Sequence, residues 1–413
     1  MNLLMLTKFY PYGTGEAFIE NEIKVFSEHF DKITIIACEV PTEENRIRDI
    51  PDNVKAYRIN AGSKKADALK GVLKNAFIRK KEVKEERAYC KGLNQRVFLY
   101  YFEGKSQRVY REILANNYLA DVTSKPFVLY SYWLFMTARV ATLINQKRKS
   151  ILMFTRAHRY DLYEERNALN YLPYRRFFLK EFDYVFPCSD NGTKHLQRKY
   201  PEYARKVETA FLGTLDHGLG KYSEDGTFRI VSCSRVSPEK RIEKIIDTLQ
   251  LLDLQNLKIE WHHIGDGAGL EKIKEHCNKF TSIKCVFYGN VPNSDVLAIY
   301  KENPFDLFVN VSSSEGLPVS IMEAISFGMP VVATDVGGTS EIVFNGITGQ
   351  LLNKDFNNRT FAEEIVKFMK MEQKEYQNYR VRCRKKWEES FQASTNYNKI
   401  CSIITGGTDG KNL

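Results

Sequence analysis

The sequence lacks the short motifs that mark several common classes of protein. Its eight cysteines form no Cys-x-x-Cys pair and no Cys/His cluster at zinc-finger spacing. No run of about eighteen apolar residues occurs, so we expect no transmembrane helix. No Gly-x-Gly-x-x-Gly follows the first predicted strand, which disfavours a NAD-dependent dehydrogenase. Zinc fingers and membrane spans are therefore excluded, and the cysteines are expected to be free thiols in a reducing cytosol.

The chain has 413 residues, enough for two domains that each bury a core of their own. The apolar run 1–6 is only as long as a strand and is too short for the core of a signal peptide. We therefore expect a cytoplasmic protein, with a peripheral position on the inner face of the membrane as the further expectation.

Positive charge is concentrated in residues 64–111, where Lys and Arg outnumber Asp and Glu and are interleaved with aromatic and aliphatic residues. A basic amphipathic segment of this kind fits an anionic membrane surface, or an acceptor that carries a pyrophosphate. A solvated basic helix pair that packs its apolar side on its own lobe explains the pattern equally well. Nucleic acid is disfavoured as a partner, because no nucleic-acid-binding motif accompanies the charge.

Strands alternate with helices of about ten residues along both halves of the chain, which predicts an α/β protein with doubly wound parallel sheets. In the first half we expect a helix at 16–29 and strands at 2–6, 32–37, 127–131, 151–155, 184–187 and 207–212. In the second half we expect strands at 228–232, 257–264, 283–288, 307–311 and 331–333. A Gly-rich polar stretch, 215–227, is the predicted linker, and a helical tail covers 361–404 with Trp387 and Phe391 as anchors.

Two carboxylates, Glu315 and Glu323, lie at the junction between a predicted strand and a predicted helix. A helix N-terminus offers unpaired backbone N–H groups and a positive dipole end, which suit a phosphate or a sugar hydroxyl. At about 1.5 Å per helical residue the two backbones lie roughly 10 Å apart, a separation that suits two ends of one long ligand. On the spacing alone, two solvated glutamates on an ordinary helix explain the pattern as well as a ligand-binding pair does.

Other ligand-type residues follow neighbouring strands of the same predicted sheet. Arg235 and Lys240 share one loop at a helix entrance, where two cations would hold a diphosphate. The next strand ends in a glycine turn that begins at Gly265, and the one after is followed by Asn290 and Val291. Each piece alone is weak, since surface cations and plain turns explain it as well. Four successive strand ends with such residues predict a binding edge.

Two loops of the first half carry similar signals. His158 follows a predicted strand, with Asp161 three residues further on, and a core or capping histidine is the alternative. Gly13, Thr14 and Gly15 form a loop beside a predicted helix N-terminus and offer N–H donors, with a plain turn as the alternative.

The ordered set of motifs resembles the retaining glycosyltransferases of family 4. The resemblance is strongest over 231–352, through Ser-Arg-Val-Ser-Pro-Glu-Lys, Ile-Gly-Asp-Gly, Tyr-Gly-Asn-Val, a Glu-x₇-Glu element and Pro-Val-Val-Ala-Thr-Asp-Val-Gly-Gly. It implies the GT-B fold, two Rossmann-like lobes that face a central cleft, with a C-terminal helix that crosses back to the first lobe. The implied lobes are an acceptor-binding one, 1–215 with 388–413, and a nucleotide-sugar-binding one, 216–387.

The resemblance also implies a reaction, the transfer of a sugar from a nucleoside diphosphate sugar to a hydroxyl of a glycan or lipid-linked glycan. The favoured nucleotide is UDP, and the configuration at the anomeric carbon is retained. Bacterial surface polysaccharide or glycolipid synthesis is the associated role. The implied catalytic residues are Arg235 and Lys240 on the pyrophosphate, Glu315 on the donor sugar, and His158. The implied donor-binding residues are Gly13, Thr14, Gly15, Gly265, Asn290, Val291, Gly316, Leu317, Pro318 and Glu323, with Glu323 on the ribose.

Two features qualify these expectations. The family usually has Asp or Gly after the histidine of the first lobe, and here Arg159 follows His158. No Asp-x-Asp occurs, so neither a metal nor another cofactor is expected, and Arg235 and Lys240 would replace the metal at the diphosphate. An epimerase or phosphorylase of similar fold, and a non-catalytic glycan- or lipid-binding protein, remain alternatives.

Overall fold

The computed structural model describes residues 1–13, 15–45, 47–60 and 81–409. The chain divides into two compact units, Met1–Phe211 with Tyr397–Leu413 and Leu212–Asn396. Each unit contains one six-stranded parallel sheet flanked by helices, which confirms the predicted α/β class with two Rossmann-like lobes. Thr14 and residues 64–80 of the predicted basic segment lie outside the described residues.

The first unit is built on a sheet with the strand order β3-β2-β1-β4-β5-β6. Its strands are β1 (Asn2–Thr7), β2 (Lys32–Val40), β3 (Val54–Asn60), β4 (Phe127–Ser131), β5 (Leu152–Ala157) and β6 (Tyr184–Pro187). Its helices are α1 (Ile19–His29), α2 (Lys81–Arg87), α3 (Leu93–Ala115), α4 (Met136–Lys147), α5 (Arg159–Leu162), α6 (Arg175–Glu181) and α7 (Asp190–Lys199). The strands β1, β4 and β5 are buried along their whole length, as expected for central parallel strands covered on both faces.

The second unit repeats this plan with the strand order β12-β11-β10-β7-β8-β9. Its strands are β7 (Phe228–Cys233), β8 (Ile259–Ile264), β9 (Ile283–Gly289), β10 (Leu307–Asn310), β11 (Val331–Thr334) and β12 (Gly349–Leu352). The helices are α8 (Ile242–Asp253), α9 (Leu270–Cys277), α10 (Asn293–Glu302), α11 (Val319–Ser326), α12 (Asn358–Met369), α13 (Gln373–Ser390) and α14 (Ala393–Asp409).

In both sheets the chain order reverses at the centre, between β1 and β4 in the first and between β7 and β10 in the second. Ligands of doubly wound sheets bind beyond the carboxyl ends of the strands at this topological switch point. The loops that follow these four strands are therefore the expected location of ligand-binding residues.

Several details differ from the sequence prediction. The predicted strand 207–212 is wrong, although the segment runs beside β6: Val207 makes a single bridge with Val185, and the N–H groups of Glu208 and Ala210 donate to the carbonyls of Val185 and Pro187, but these contacts do not extend into a strand. The short strands β3 and β12 were not predicted. The first helix begins at Ile19 and not at residue 16, because Glu16 has a left-handed backbone (φ 61°) within a turn. The predicted helical tail is three helices, α12, α13 and α14.

The C-terminal helix α14 begins in the second unit, and its residues from Tyr397 onward belong to the first. Its apolar side chains recur at helical spacing and are fully buried, as at Tyr397, Ile400 and Ile404. The Arg156 guanidinium lies 5.5 Å from the centre of the Tyr397 ring. The predicted return of this helix to the first lobe is confirmed.

The described part of the basic segment packs against its own unit. Helix α3 buries Leu99, Phe102, Val109 and Ile113 in the core of the first unit. Over the residues that the structure describes, no helix has the length and apolar character required to cross a membrane.

Candidate active site

The loops after β7 and β10 meet through an ion pair. The Lys240 ammonium lies 2.6 Å from Glu315 Oε1, and the Asn310 side-chain amide donates to the same oxygen over 3.3 Å. Both side chains are partly shielded, with 23% of Lys240 and 9% of Glu315 exposed. Because β7 and β10 flank the switch point, the structure brings together the cation and the carboxylate that the sequence predicted there.

Arg241, which was not among the predicted site residues, connects these two loops. Its guanidinium donates to the carbonyls of Val311 over 2.7 Å and Ser312 over 3.3 Å, both just after β10. The Ser313 N–H donates to the Glu239 carbonyl over 2.7 Å in the same region. The sequence signal for Arg241 was its position directly after Lys240 at a helix entrance, where a second cation next to the first also requires hydrogen-bond acceptors.

Two consecutive glycines hold the backbone of the Glu315 loop. A Cβ on Gly337, where φ is +60°, would lie 2.0 Å from the Glu315 carbonyl oxygen. The Gly338 N–H donates to the Gly316 carbonyl over 2.6 Å. Only glycine fits this close approach, so the pair fixes the backbone from which the Glu315 side chain projects.

Gly265 has a comparable role on the neighbouring loop. Its φ is +137°, and an added Cβ would lie 1.9 Å from the carbonyl oxygen of Ser234. A Cβ on Gly267 would lie 2.1 Å from the Val236 carbonyl oxygen. The turn after β8 therefore packs directly on the loop that carries Arg235. The sequence predicts that these glycines let the backbone approach a ligand, whereas in the structure they let it approach another loop of the protein.

Glu323 is a buried carboxyl on α11. Its Oε1 accepts a hydrogen bond from the Asn293 side chain over 2.9 Å. Burial raises the pKa of Glu323 to about 7, and the Asn293 hydrogen bond opposes that rise. Burial also raises the pKa of the nearby Cys233 thiol to about 12, and the Glu323 carboxylate adds to the effect. Asn293 was not predicted, although it lies three residues after Asn290.

The remaining predicted residues of the second unit line the same edge. Arg235 is exposed, and within the described part of the chain no side-chain hydrogen bond or ion pair holds its guanidinium. Asn290 is exposed and Val291 half-buried between β9 and α10. Gly316, Leu317 and Pro318 lead into α11, with Pro318 at its N-cap position.

In the first unit, the loop after β1 is organised around Glu16. The buried carboxylate accepts the backbone N–H groups of Lys8 over 3.1 Å and of Phe9 and Tyr10 over 2.7 Å each. The Trp133 indole N–H donates to Glu16 as well. Among the described residues, the backbone N–H groups of this loop that bind an anionic group are therefore those of residues 8–10. The group they bind is the side chain of Glu16 in the same loop.

The two described glycines of that loop are held through their carbonyls. Arg48 donates to the carbonyl oxygen of Gly13 over 2.9 Å and to that of Gly15 over 3.0 Å. Gly13 has a φ of +65°, which glycine adopts without strain. Because α1 begins only at Ile19, neither glycine stands at its first turn, so the predicted placement beside a helix N-terminus is wrong.

His158 lies in an aromatic cage after β5. The centre of its ring is 4.5 Å from that of Trp133, 4.9 Å from that of Tyr132 and 5.9 Å from that of Phe18. Burial, helped by the positive charge of Arg156, lowers the pKa of His158 to about 3, so the imidazole is neutral near pH 7. Neither ring nitrogen has a hydrogen-bond partner among the described residues.

Asp161 is a structural partner of this loop. Its Oδ1 accepts the His158 backbone N–H and its Oδ2 accepts the Leu134 backbone N–H, each over 2.6 Å. Burial raises the pKa of Asp161 to about 7, and Arg175 opposes the rise. The carboxyl joins the loops after β4 and β5 and thereby fixes the backbone at His158.

Comparison with known proteins shows a family to which most of the second unit is similar. Residues 221–387 match the family model for glycosyl transferases group 1. That stretch contains the ion pair of Lys240 with Glu315, together with Glu323 and both glycine contacts. Most of the second unit is therefore similar in sequence to the glycosyl transferases of group 1.

Curated relatives are similar to the chain at low identity. The chain is 23% identical over 224 residues to the GtfA subunit of UDP-N-acetylglucosamine–peptide N-acetylglucosaminyltransferase of Streptococcus agalactiae, covering 52% of this chain and 44% of that protein. It is 30% identical over 116 residues to the O-antigen biosynthesis glycosyltransferase WbnH of Escherichia coli, covering 28% of this chain and 31% of the other. A GDP-mannose-dependent alpha-mannosyltransferase of Mycolicibacterium smegmatis is 29% identical over 169 residues, 40% of this chain and 42% of that one. Each match spans less than half of the relative.

Solved structures agree over nearly the whole chain. The lipopolysaccharide outer core galactosyltransferase WaaB superposes with a TM-score of 0.64 at 13% identity, covering 98% of this chain and 100% of the other. HepE of Anabaena, solved in complex with UDP, gives a TM-score of 0.64 at 14% identity over 98% and 99% of the two chains. At these identities the likeness shows the fold, which is that of the GT-B glycosyltransferases.

Proposed function

We propose that the protein is a retaining glycosyltransferase that moves a sugar from a nucleoside diphosphate sugar, with UDP favoured, to a hydroxyl of a glycan or lipid-linked glycan. The observation that carries this proposal is the ion pair of Lys240 with Glu315 at the switch point of the second sheet, within the stretch that is similar to the glycosyl transferases of group 1. The UDP-dependent GtfA relative and the UDP complex of HepE favour UDP, and the WbnH relative favours bacterial surface polysaccharide synthesis.

In the proposed reaction, the bond between the anomeric carbon and the diphosphate oxygen breaks, and the electron pair leaves with the diphosphate. The acceptor oxygen bonds to the same face of the anomeric carbon, and its proton passes to the departing phosphate oxygen. The Lys240 ammonium and the Arg235 guanidinium stabilise the charge on the diphosphate, a contribution of about 3 kcal/mol for one preorganised donor. These two cations and the N-terminus of α11 would act where other transferases use a metal.

Glu315 would have two roles. Its carboxylate would orient the Lys240 ammonium, and it would accept hydrogen bonds from hydroxyls of the donor sugar. Gly316, Leu317 and Pro318 would contribute backbone atoms to the sugar and phosphate. Glu323, once ionised, would accept the ribose hydroxyls.

Asn290 and Val291 would contact the base of the nucleotide, since they follow β9 on the same edge of the sheet. Gly265 would contribute to donor binding indirectly, because it supports the loop that carries Arg235.

A donor screen tests the reaction. The protein is incubated with UDP- and GDP-sugars, with and without EDTA, and products are identified by mass while NMR follows the anomeric proton. We expect hydrolysis or transfer from a UDP-sugar, with retention and without a need for metal. Inversion of the product contradicts retention, an isomerised donor indicates an epimerase, and a sugar phosphate formed from added phosphate indicates a phosphorylase. Absence of both turnover and nucleotide binding for every donor would show a non-catalytic protein.

A further inference from the structure

The first unit contains a cavity of about 470 Å³ at the carboxyl edge of its sheet. It is lined by residues that follow β1, β4 and β5, by Glu39 near the end of β2, and by the side of α3 that faces them. The cavity therefore lies at the switch point of the first sheet, and its volume is within the range of sites for small molecules.

The wall of this cavity is mainly aromatic. Phe9, Phe18, Phe98, Tyr101, Trp133 and Phe135 line it, and each of these rings is only half-buried. Within the wall, Phe98 and Phe135 pack around the buried Phe102, with ring centres 6.4 Å and 4.9 Å from it. Several half-exposed rings share this concave surface. An apolar group that covers them removes their surface from water, which lowers the free energy of the complex.

The charged groups of the cavity are confined to two places. Lys105 lies 2.7 Å from Glu39, and the Lys8 ammonium lies 3.9 Å from the other oxygen of that carboxylate. Two ammonium groups share one carboxylate, so this group carries a net positive charge. The second carboxylate, Glu16, already accepts three backbone N–H groups and the Trp133 indole.

These contacts decide between chemical classes of occupant. A sugar ring stacks on aromatic groups, but its hydroxyls need polar partners around the whole ring, and the charged groups of this mainly aromatic cavity are confined to two places. A hydrocarbon chain needs only the apolar wall, and a phosphate at its end would pair with Lys8 and Lys105. The charge and the wall thus complement an amphiphile with an anionic head.

We propose that this cavity binds the lipid part of the acceptor, a single isoprenoid or acyl chain that ends in a phosphate or diphosphate. The proposal rests on the proposed glycosyl transfer, to which it adds the class of acceptor. The site would place the lipid phosphate beside Lys8 and Lys105 and leave the linked glycan outside the apolar wall.

Intrinsic fluorescence provides a direct test with farnesyl phosphate as the probe. Trp133 lines the cavity, whereas Trp261 and Trp387 are fully buried in the second unit. We expect a saturable change that is lost in Trp133→Phe. Farnesol, which lacks the phosphate, should bind at least tenfold more weakly, and this difference should shrink in Lys105→Gln.

A matched pair of variants on α3 provides the control. Phe98→Glu puts a charge into the half-buried wall and should weaken farnesyl phosphate binding at least tenfold. Val97→Glu makes the same change at the adjacent position, which is 42% exposed and outside the wall, and should leave binding unchanged. Equal binding by the two variants, or tighter binding of an acceptor peptide or a free oligosaccharide at this tryptophan, would overturn the proposal.

UDP affinity and donor hydrolysis measured on the same preparations separate this proposal from the reaction itself. If UDP binds and the donor is hydrolysed while farnesyl phosphate gives no saturable signal, the lipid site is wrong and the transferase stands. If no donor is bound or hydrolysed, the transferase proposal fails whatever the lipid does.

Discussion

Lys240 and Glu315 are 75 residues apart in the sequence, yet the ammonium and the carboxylate meet at 2.6 Å. Each follows a strand that borders the switch point of the second sheet. Arg241 joins the two loops by a hydrogen bond to the Val311 carbonyl, and Gly337 packs against the backbone of Glu315. The pair joins a cation suited to a diphosphate with an acceptor suited to sugar hydroxyls.

The first prediction concerns the two members of this pair. Lys240→Met should lower turnover by about 10²- to 10³-fold and also weaken UDP binding, because the preorganised cation at the diphosphate is lost. Glu315→Gln should lower turnover strongly while UDP affinity changes little. Steady-state kinetics and UDP titration measure both, with Lys274→Met, an exposed cation on α9, as the control. Loss of turnover in Glu323→Gln but not in Glu315→Gln would contradict this division of roles.

The second prediction concerns the pH dependence of nucleotide binding. A ribose hydroxyl donates to an ionised carboxylate, and Glu323 ionises with a pKa of about 7. UDP affinity should therefore rise as the pH passes through about 7 in the wild type and stay flat in Glu323→Gln. Titrations between pH 5.5 and 8.5 check this, and parallel curves for both proteins would show that Glu323 does not bind the ribose.

The same carboxyl predicts a change in stability. Its pKa is raised from 4.5 to about 7 on folding, so the folded state binds more protons than the unfolded state in that interval. The free energy of unfolding should fall as the pH rises through this window, and Glu323→Gln should remove that loss. Urea unfolding at several pH values measures the difference.

The third prediction tests the glycine that supports the Glu315 loop. Gly337→Ala should destabilise the second unit by about 1–3 kcal/mol and lower turnover, because the new Cβ displaces the Glu315 backbone. Gly346→Ala is the matched control, since its φ is +75° but a Cβ there meets nothing within 4 Å. Equal losses of turnover in the two variants would assign the effect to φ strain alone.

The fourth prediction concerns the caged histidine. The pKa of His158 falls from 6.5 to about 3 on folding, so the unfolded state binds more protons between these values. Stability should therefore be lost as the pH falls from 6.5 towards 3, and His158→Phe should reduce that loss. Acid unfolding followed by circular dichroism measures it, with exposed His276→Gln as the control. Identical acid transitions for His158→Phe and wild type would contradict the lowered pKa.

The fifth prediction concerns the basic segment. If it meets anionic lipid, Lys81→Glu with Lys84→Glu should weaken sedimentation with phosphatidylserine vesicles and reduce its dependence on salt. Lys81 is 87% exposed, so this change should not disturb the fold. The control is Lys385→Glu, an exposed cation on α13. Vesicle binding that is unchanged by the double substitution would remove the membrane surface as a partner of this segment.

The local pattern of the sequence was sufficient for most of the fold. Alternation of apolar strands with amphipathic helices predicted two parallel sheets, because that periodicity depends only on neighbouring residues. It failed at 207–212, at β3 and at β12, which lie at or beside the sheet edges, where pairing depends on tertiary context more than on composition.

The sequence by itself also determined which residue types stand at the strand ends, and so predicted Arg235, Lys240, Glu315 and Glu323 as one binding edge. Only the tertiary structure decided their partners. Strand order places Lys240 on Glu315, burial sets the pKa of Glu323 near 7, and close packing of backbones gives Gly337 its role. Residue identity is local information, whereas ion pairing, desolvation and packing arise between segments that are distant along the chain.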